Sequence, residues 1–195
     1  MTFSKSDENV EKIVGILKNG GVAVIPTDTV YGFSGIVDLK GKQQYKTDSL
    51  IRKIKGRDEN KPLIQLISKP EDIKLYTDEE IPCNILEHWP GPLTVIVPVK
   101  KDSPLAEIVP TVAFRCPGDK WLRTIIEKCG APLFSTSVNR SGCPVLETIG
   151  EIKSEFESEV QVIVDDGDKK GSLPSTLMLL ENNGYKVLRQ GAVKI

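Results

Sequence analysis

The chain has 195 residues, 39% hydrophobic and 27% charged, which fits one folded domain, residues 1–195, with a buried core and excludes a disordered tract. Twenty-six Lys and Arg against 27 Asp and Glu leave a net charge of −1, so the molecule as a whole is no electrostatic glove for nucleic acid and any anion site must be local. Four scattered cysteines (Cys83, Cys116, Cys129, Cys143) and the single His88 form no closely spaced ligand pairs, which argues against a structural zinc site.

The polar start, MTFSKSDENVEK, lacks the apolar core of a signal peptide. No apolar run approaches the roughly 20 residues that cross a bilayer, so a cytoplasmic protein is expected. Asp7 is placed to cap a helix whose Val10, Ile13, Val14 and Leu17 share one face, and Asn19-Gly20-Gly21 supplies its stop. VAVIP (22–26) reads as a buried strand and FSGIV as a second. A helix then runs to about Lys55, with Leu50, Ile51 and Ile54 on one face. LIQLI (63–67), TVIVPV (94–99) and VAFRC (112–116) are apolar strands. The next helix carries Trp121, Leu122, Ile125 and Ile126 and is capped by Asp119. PLFSTS (132–137) leads into the polar loop NRSGCP, followed by a helix near 148–157 and the strand VQVIV (160–164). A hairpin closes the chain, STLMLL and YKVLRQG around Asn183-Gly184. The irregular interleaving of strands and helices predicts an α/β fold with a mixed sheet.

Familiar catalytic signatures are absent: no GxxxxGK[ST], GxGxxG, GxSxG or HExxH. A nucleophile pair could use only His88, whose setting EHWPGP offers no partner. Polar stretches instead follow apolar strands, where α/β sheets place ligand contacts. PTDTVYG (26–32) reads equally as a capped turn and as a hydroxyl grip. KGRDENKPL (55–63) reads equally as a solvated loop and as a triphosphate clamp; between Lys46 and Lys61 six basic residues face three acidic ones. Arg115, inside an apolar strand pattern, is either a buried ion-pair partner or a ligand for a carboxylate or phosphate. STSVNRSG (135–142) offers more hydroxyls than a plain turn needs, while PSTL (174–177) and LRQG (188–191) are individually weak.

In this order, PTDTVYG, KGRDENKPL, WPGPLT, FRCPGD, STSVNRSG, PST and LRQG resemble the YrdC-like (TsaC) threonylcarbamoyl-AMP synthases over about residues 10–191. The resemblance implies a twisted mixed sheet with flanking helices around a concave basic cavity. It implies a reaction in which L-threonine and bicarbonate or CO2 give N-carboxythreonine, which attacks ATP to form threonylcarbamoyl-AMP and pyrophosphate, for the t6A modification of tRNA. It places Thr29, Arg115, Ser135 and Ser175 at L-threonine. Arg57, Lys61, Thr111, Ser137, Asn139, Val145 and Arg189 fall at ATP, with Lys55 and Arg57 as the catalytic cations. Mg2+ would accompany ATP with no protein cage. Separate transfer proteins of the TsaB, TsaD and TsaE type are the implied partners, because the short form lacks the C-terminal domain of longer members. Tight double-stranded RNA or tRNA binding without catalysis, or a different small-molecule substrate, are the alternatives. Leu66 stands where some members carry a threonine-binding histidine, and Val138 and Arg140 depart from smaller or apolar residues, Arg140 adding charge at the nucleotide edge.

Overall fold

A computed structural model describes residues 1–39, 45–58, 62–106, 108–181 and 184–195. Among these residues ten strands form one mixed sheet in the order β1-β8-β2-β3-β7-β4-β6-β5-β9-β10. They are β1 Thr2–Ser4, β2 Ala23–Ile25, β3 Gly32–Ile36, β4 Ile64–Leu66, β5 Leu93–Pro98, β6 Thr111–Arg115, β7 Leu133–Ser137, β8 Val162–Asp165, β9 Thr176–Glu181 and β10 Gly184–Arg189. Helices α1 Val10–Lys18, α2 Thr47–Lys55, α3 Cys83–Leu86, α4 Lys120–Cys129 and α5 Ile149–Phe156 flank it. Parallel pairs (β1 with β8, β2 with β8, β4 with β6, β5 with β9) and antiparallel pairs (β2 with β3, β3 with β7, β5 with β6) share the sheet.

The pleat sorts the core, because successive side chains point to opposite faces. Ala23 and Ile25 of β2 join Ile13, Leu17, Leu122 and Ile125 under α1 and α4. Val24, between them, joins Phe33, Ile51 and Phe156 under α2 and α5 on the other face. A third cluster, with Trp89, Val95, Phe114 and Met178, packs the far half of the sheet. Along β7, Leu133 belongs to the α1–α4 cluster, so Ser135 and Ser137, two and four residues on, share its face but lie past the helices. That uncovered stretch is where a cavity opens.

Three local expectations change. The polar start is a strand, β1, pairing parallel with β8 through Thr2 and Ile163, Phe3 and Val164, Ser4 and Asp165. Asp7 does not cap α1: Asp7–Asn9 forms a short 3-10 turn, and Asn9 at the helix start makes no side-chain cap. Leu50 is 40% exposed, while Ile51 and Ile54 turn inward. The expected cap on α4 is present, with the Asp119 carboxylate accepting from the Leu122 N–H at 3.2 Å. The closing hairpin is present as antiparallel β9 and β10; Asn183 of its turn lies outside the described residues. Cys116 and Cys129 are buried free thiols, whereas Cys83 and Cys143 are exposed. Among the described residues no helix is long and apolar enough to cross a membrane, and no His, Cys, Asp and Glu cluster could hold a metal.

Candidate active site

The concave space past α1 and α4 has a volume of about 280 Å³. Strand pairing builds its floor: Ile64 of β4 lies between Ala113 of β6 and Ser135 of β7. Gly32 of β3 lies opposite Ser137, and a Cβ at Gly32 would come within 2.8 Å of Ser135 Oγ. Only glycine lets the two strands leave that hydroxyl facing the cavity.

Arg115 reaches the cavity from β6 and is 5% exposed. Its Nη2 donates to Asp28 Oδ1 at 2.5 Å, Nη1 to Thr29 Oγ1 at 2.9 Å, and Nε to the Gly91 carbonyl at 3.1 Å. Of the two readings left open for this arginine, the buried ion-pair partner is met. The ion pair with Asp28 satisfies its charge in the interior, and two of a guanidinium's five N–H groups stand outside those three bonds. The WPGPL corner serves the same side chain: Trp89 Nε1 donates to the Leu93 carbonyl at 2.7 Å, and the Gly91 N–H donates to the Cys116 carbonyl at 2.8 Å.

The PTDTVYG loop is a self-satisfied turn and a cavity wall together. Thr27 Oγ1 donates to the Val30 carbonyl at 2.8 Å. Its proton is thereby used, so Thr29 is the donor in the 2.9 Å contact between the two hydroxyls. Thr29 Oγ1 then presents acceptor capacity only. Tyr31 is committed elsewhere: its hydroxyl donates to the Gly167 carbonyl at 2.7 Å and accepts from the Asp166 N–H at 2.9 Å, and burial pushes it up to about 12.

Arg189 also lines the cavity. Its Nη2 donates to the Ser175 carbonyl at 2.8 Å, and the Ser175 and Thr94 hydroxyls are hydrogen-bonded to each other at 2.8 Å. Gly191 explains the glycine of LRQG, since a Cβ there would sit 2.2 Å from the Pro174 carbonyl. Arg57 lines the cavity too and donates from Nη2 to the Pro62 carbonyl at 3.1 Å. Burial lowers the values of Arg57 and Arg189, with the charge of Arg52 adding for the first and of Arg115 for the second. Confined like charges with little water around them are relieved when an anion enters.

Eight expected residues converge here: Thr29, Arg57, Arg115, Ser135, Ser137, Val145, Ser175 and Arg189. Four do not. Lys61 lies outside the described residues. Thr111, at the start of β6, lines a different cavity. Lys55 is 2% exposed and turns inward, donating to the carbonyls of Ser137 and Asn139 and to Asn139 Oδ1. Burial drives its ammonium down to about 8, and the Arg57 charge adds to this. Asn139 is the other half of that tie, accepting from Ser137 Oγ at 2.8 Å and donating to the Cys143 carbonyl at 2.7 Å. Lys55 and Asn139 therefore shape the 135–143 loop from behind, and neither faces the cavity. Arg140 also turns away, its guanidinium held by Glu155 and Glu159. Leu66 is buried with Leu133 and Ile36.

The family model Sua5_yciO_yrdC, described as "Telomere recombination", matches residues 15–191. The chain belongs to the Sua5/YciO/YrdC family. Among curated relatives, the threonylcarbamoyl-AMP synthase of Pseudoalteromonas translucida is 30% identical over 88% of this chain and 94% of its own. The threonylcarbamoyl-AMP synthase of Bacillus subtilis is 28% identical over 98% of this chain. The crystal structure of Pyrococcus abyssi Sua5 complexed with L-threonine superposes with a TM-score of 0.82 at 26% identity, covering 98% of this chain. This chain spans 56% of the Bacillus protein and 56% of the P. abyssi chain.

Reading the sequence missed Asp28 as the partner of Arg115 and Thr94 as the partner of Ser175. Asp28 sat inside a quoted motif but was read as a local turn former. Thr94 likewise closes the motif WPGPLT but was read only as the head of an apolar strand.

Proposed function

We propose that this protein is an L-threonylcarbamoyladenylate synthase. It would combine L-threonine, bicarbonate or CO2 and ATP into threonylcarbamoyl-AMP, with release of pyrophosphate. The full-length likeness to synthases of that name supports the reading. The observation that carries it is the make-up of the cavity: three arginines and a row of hydroxyls, with no His, Cys, Asp, Glu or Lys among the described residues that line it.

Such a lining can bind and orient anions but has no base to activate a serine. The nucleophile is then the substrate's own carboxylate. In the first stage the threonine amine forms a C–N bond to CO2 and loses a proton, giving N-carboxythreonine. In the second, a carbamate oxygen forms a bond to the α-phosphorus of ATP as the bond to the bridging oxygen breaks and pyrophosphate takes the electron pair. Alignment and charge neutralisation supply the acceleration.

The amino-acid end falls to the Arg115 side. Its remaining N–H groups suit the threonine carboxylate, Thr29 Oγ1 accepts from the ammonium or carbamate N–H, and Ser135 and Ser175 complete the pocket. Arg57 and Arg189 face the phosphates, with Ser137 and the Val145 backbone beside them. Lys61 belongs with these by its place in the motif, and Thr111 at the strand end would meet only the outer part of the nucleotide. Without carboxylates in the lining, Mg2+ would enter chelated by the triphosphate and neutralise its developing charge. The product would serve t6A formation on tRNA together with TsaB-, TsaD- and TsaE-type proteins. A net charge of −1 speaks against tight nonspecific RNA binding as the main activity.

A second reading, the same chemistry class on another small molecule, draws on Leu66, which is packed in the apolar core. Mass spectrometry of products from ATP, L-threonine and bicarbonate decides between them. The expected result is threonylcarbamoyl-AMP and pyrophosphate only when all three are present. ATP turnover indifferent to threonine overturns the proposal.

A further inference from the structure

We infer that the protein carries a second ligand site on the opposite face of the sheet, suited to a small molecule with an apolar body and one N–H or O–H donor. Gln65, Val112 and Phe134 alternate with Ile64, Ala113 and Ser135, so the two sets point to opposite faces. The second set lines the candidate active site. The first lines a separate cavity of about 540 Å³, within the range of about 300–1,000 Å³ typical of small-molecule sites.

The walls are apolar, with Val37, Leu63, Leu105 and Val112 all buried. Among them Gln65 is 5% exposed, and among the described residues its Oε1 has no hydrogen-bond partner. A buried acceptor without a donor is a standing cost to the fold, and a ligand that brings the donor removes it. The Asp48–Arg52 pair, at 2.7 Å, adds a polar rim.

Among the described residues the two cavities share one, Pro62. Its carbonyl accepts from Arg57 Nη2. Arg52, on the rim, accepts the Arg57 N–H at its carbonyl and donates from Nη1 to the Asp58 carbonyl. Filling the second cavity therefore bears on the segment that presents Arg57. This consequence rests on the proposed synthase reading; the binding site does not.

The test titrates the full chain with indole and with N-methylindole, which has the same apolar body and no donor, following the methyl resonances of valine and leucine. Saturable shifts at Val112 and Leu105 are expected, with N-methylindole about tenfold weaker. Gln65→Leu should erase that preference and raise Tm, and Val112→Phe should weaken both probes by filling the space. Shifts that do not saturate, shifts centred on Val145 and Leu177 of the candidate active site, or equal affinity for the two probes overturn the site. If Gln65→Leu fails to fold, the comparison of the two probes on the unaltered protein still decides. Bound indole should change the KM for ATP in pyrophosphate release; an unchanged KM with intact binding overturns the coupling alone. Absence of threonine-dependent pyrophosphate without any probe counts against the synthase reading and leaves the binding result standing.

Discussion

The loop after β2 and the segment after α2 both reached the cavity from motifs that read equally as surface turns, yet they are built on opposite principles. In the first, Thr27, Asp28 and Thr29 are tied into one network with a buried arginine from a strand 86 residues away. Its geometry is set by the interior. In the second, Arg57 leaves the helix end after Gly56, which adopts the left-handed conformation at φ 61°, and it bonds nearby backbone at the carbonyls of Arg52 and Pro62. On the proposed function, a site for a small zwitterion and a large flexible polyanion would gain from both: a rigid corner for one and a reachable cation for the other. Lys55 stands between them, in the second motif by sequence but in the interior by structure.

The largest effect is expected where the network is deepest. Arg115→Ala leaves the Asp28 carboxylate without its guanidinium, so stability should fall by about 3–5 kcal/mol and kcat/KM for threonine by about 10²–10³-fold. Thermal unfolding and initial rates check this, and a variant of unchanged stability would show that the first loop is no more interior than the second.

Lys55→Met removes the donor shared by three acceptors of the 135–143 loop, and unpaired buried carbonyls cost about 1–3 kcal/mol. The group also predicts a pH profile. It titrates near 8 in the fold and at 10.5 in the unfolded chain. Between these values the unfolded chain holds the proton that the folded chain has released, so this residue makes stability rise as pH climbs from 8 to 10.5. Activity should move the other way, falling above about pH 8 as the loop loses its ammonium tie. An alkaline limb that survives in Lys55→Met belongs to another group.

Arg57→Ala tests the open segment. The KM for ATP should rise about tenfold to a hundredfold from loss of charge-assisted bonds, with stability within about 0.5 kcal/mol of the parent. A comparable loss of stability would erase the contrast with Arg115. Smallest of all, Asp119→Ala removes a helix cap and the 2.7 Å contact to Lys5. It should lower stability by about 1 kcal/mol and leave product formation unchanged in the mass-spectrometric assay.

Much of the scaffold was legible because its cause is local. The apolar runs of β4, β5 and β7, the inward pair Ile51 and Ile54, and the Asp119 cap need only spacing and residue type. β1 was missed because TFS has no apolar signature and exists only through its partner β8. In the candidate site, residue types were legible and side-chain directions were not. Lys55, Asn139 and Arg140 are as polar as Arg57 and Ser137. Whether each faces the cavity is set by partners such as Ser137, which lies 82 positions from Lys55, and Glu159, 19 positions from Arg140.

The four thiols also make the protein its own reporter. Burial pushes Cys116 up to about 12 and Cys129 up to about 11, so at neutral pH neither offers appreciable thiolate to an alkylating reagent. Labelling is left to the exposed Cys83 and Cys143. Cys143 closes the loop that Lys55 anchors, its carbonyl bonded to Asn139 and its N–H to the Arg140 carbonyl at 3.0 Å. With Cys83→Ser as the only change, a fluorophore at Cys143 would sit on that loop and signal its order as substrates bind.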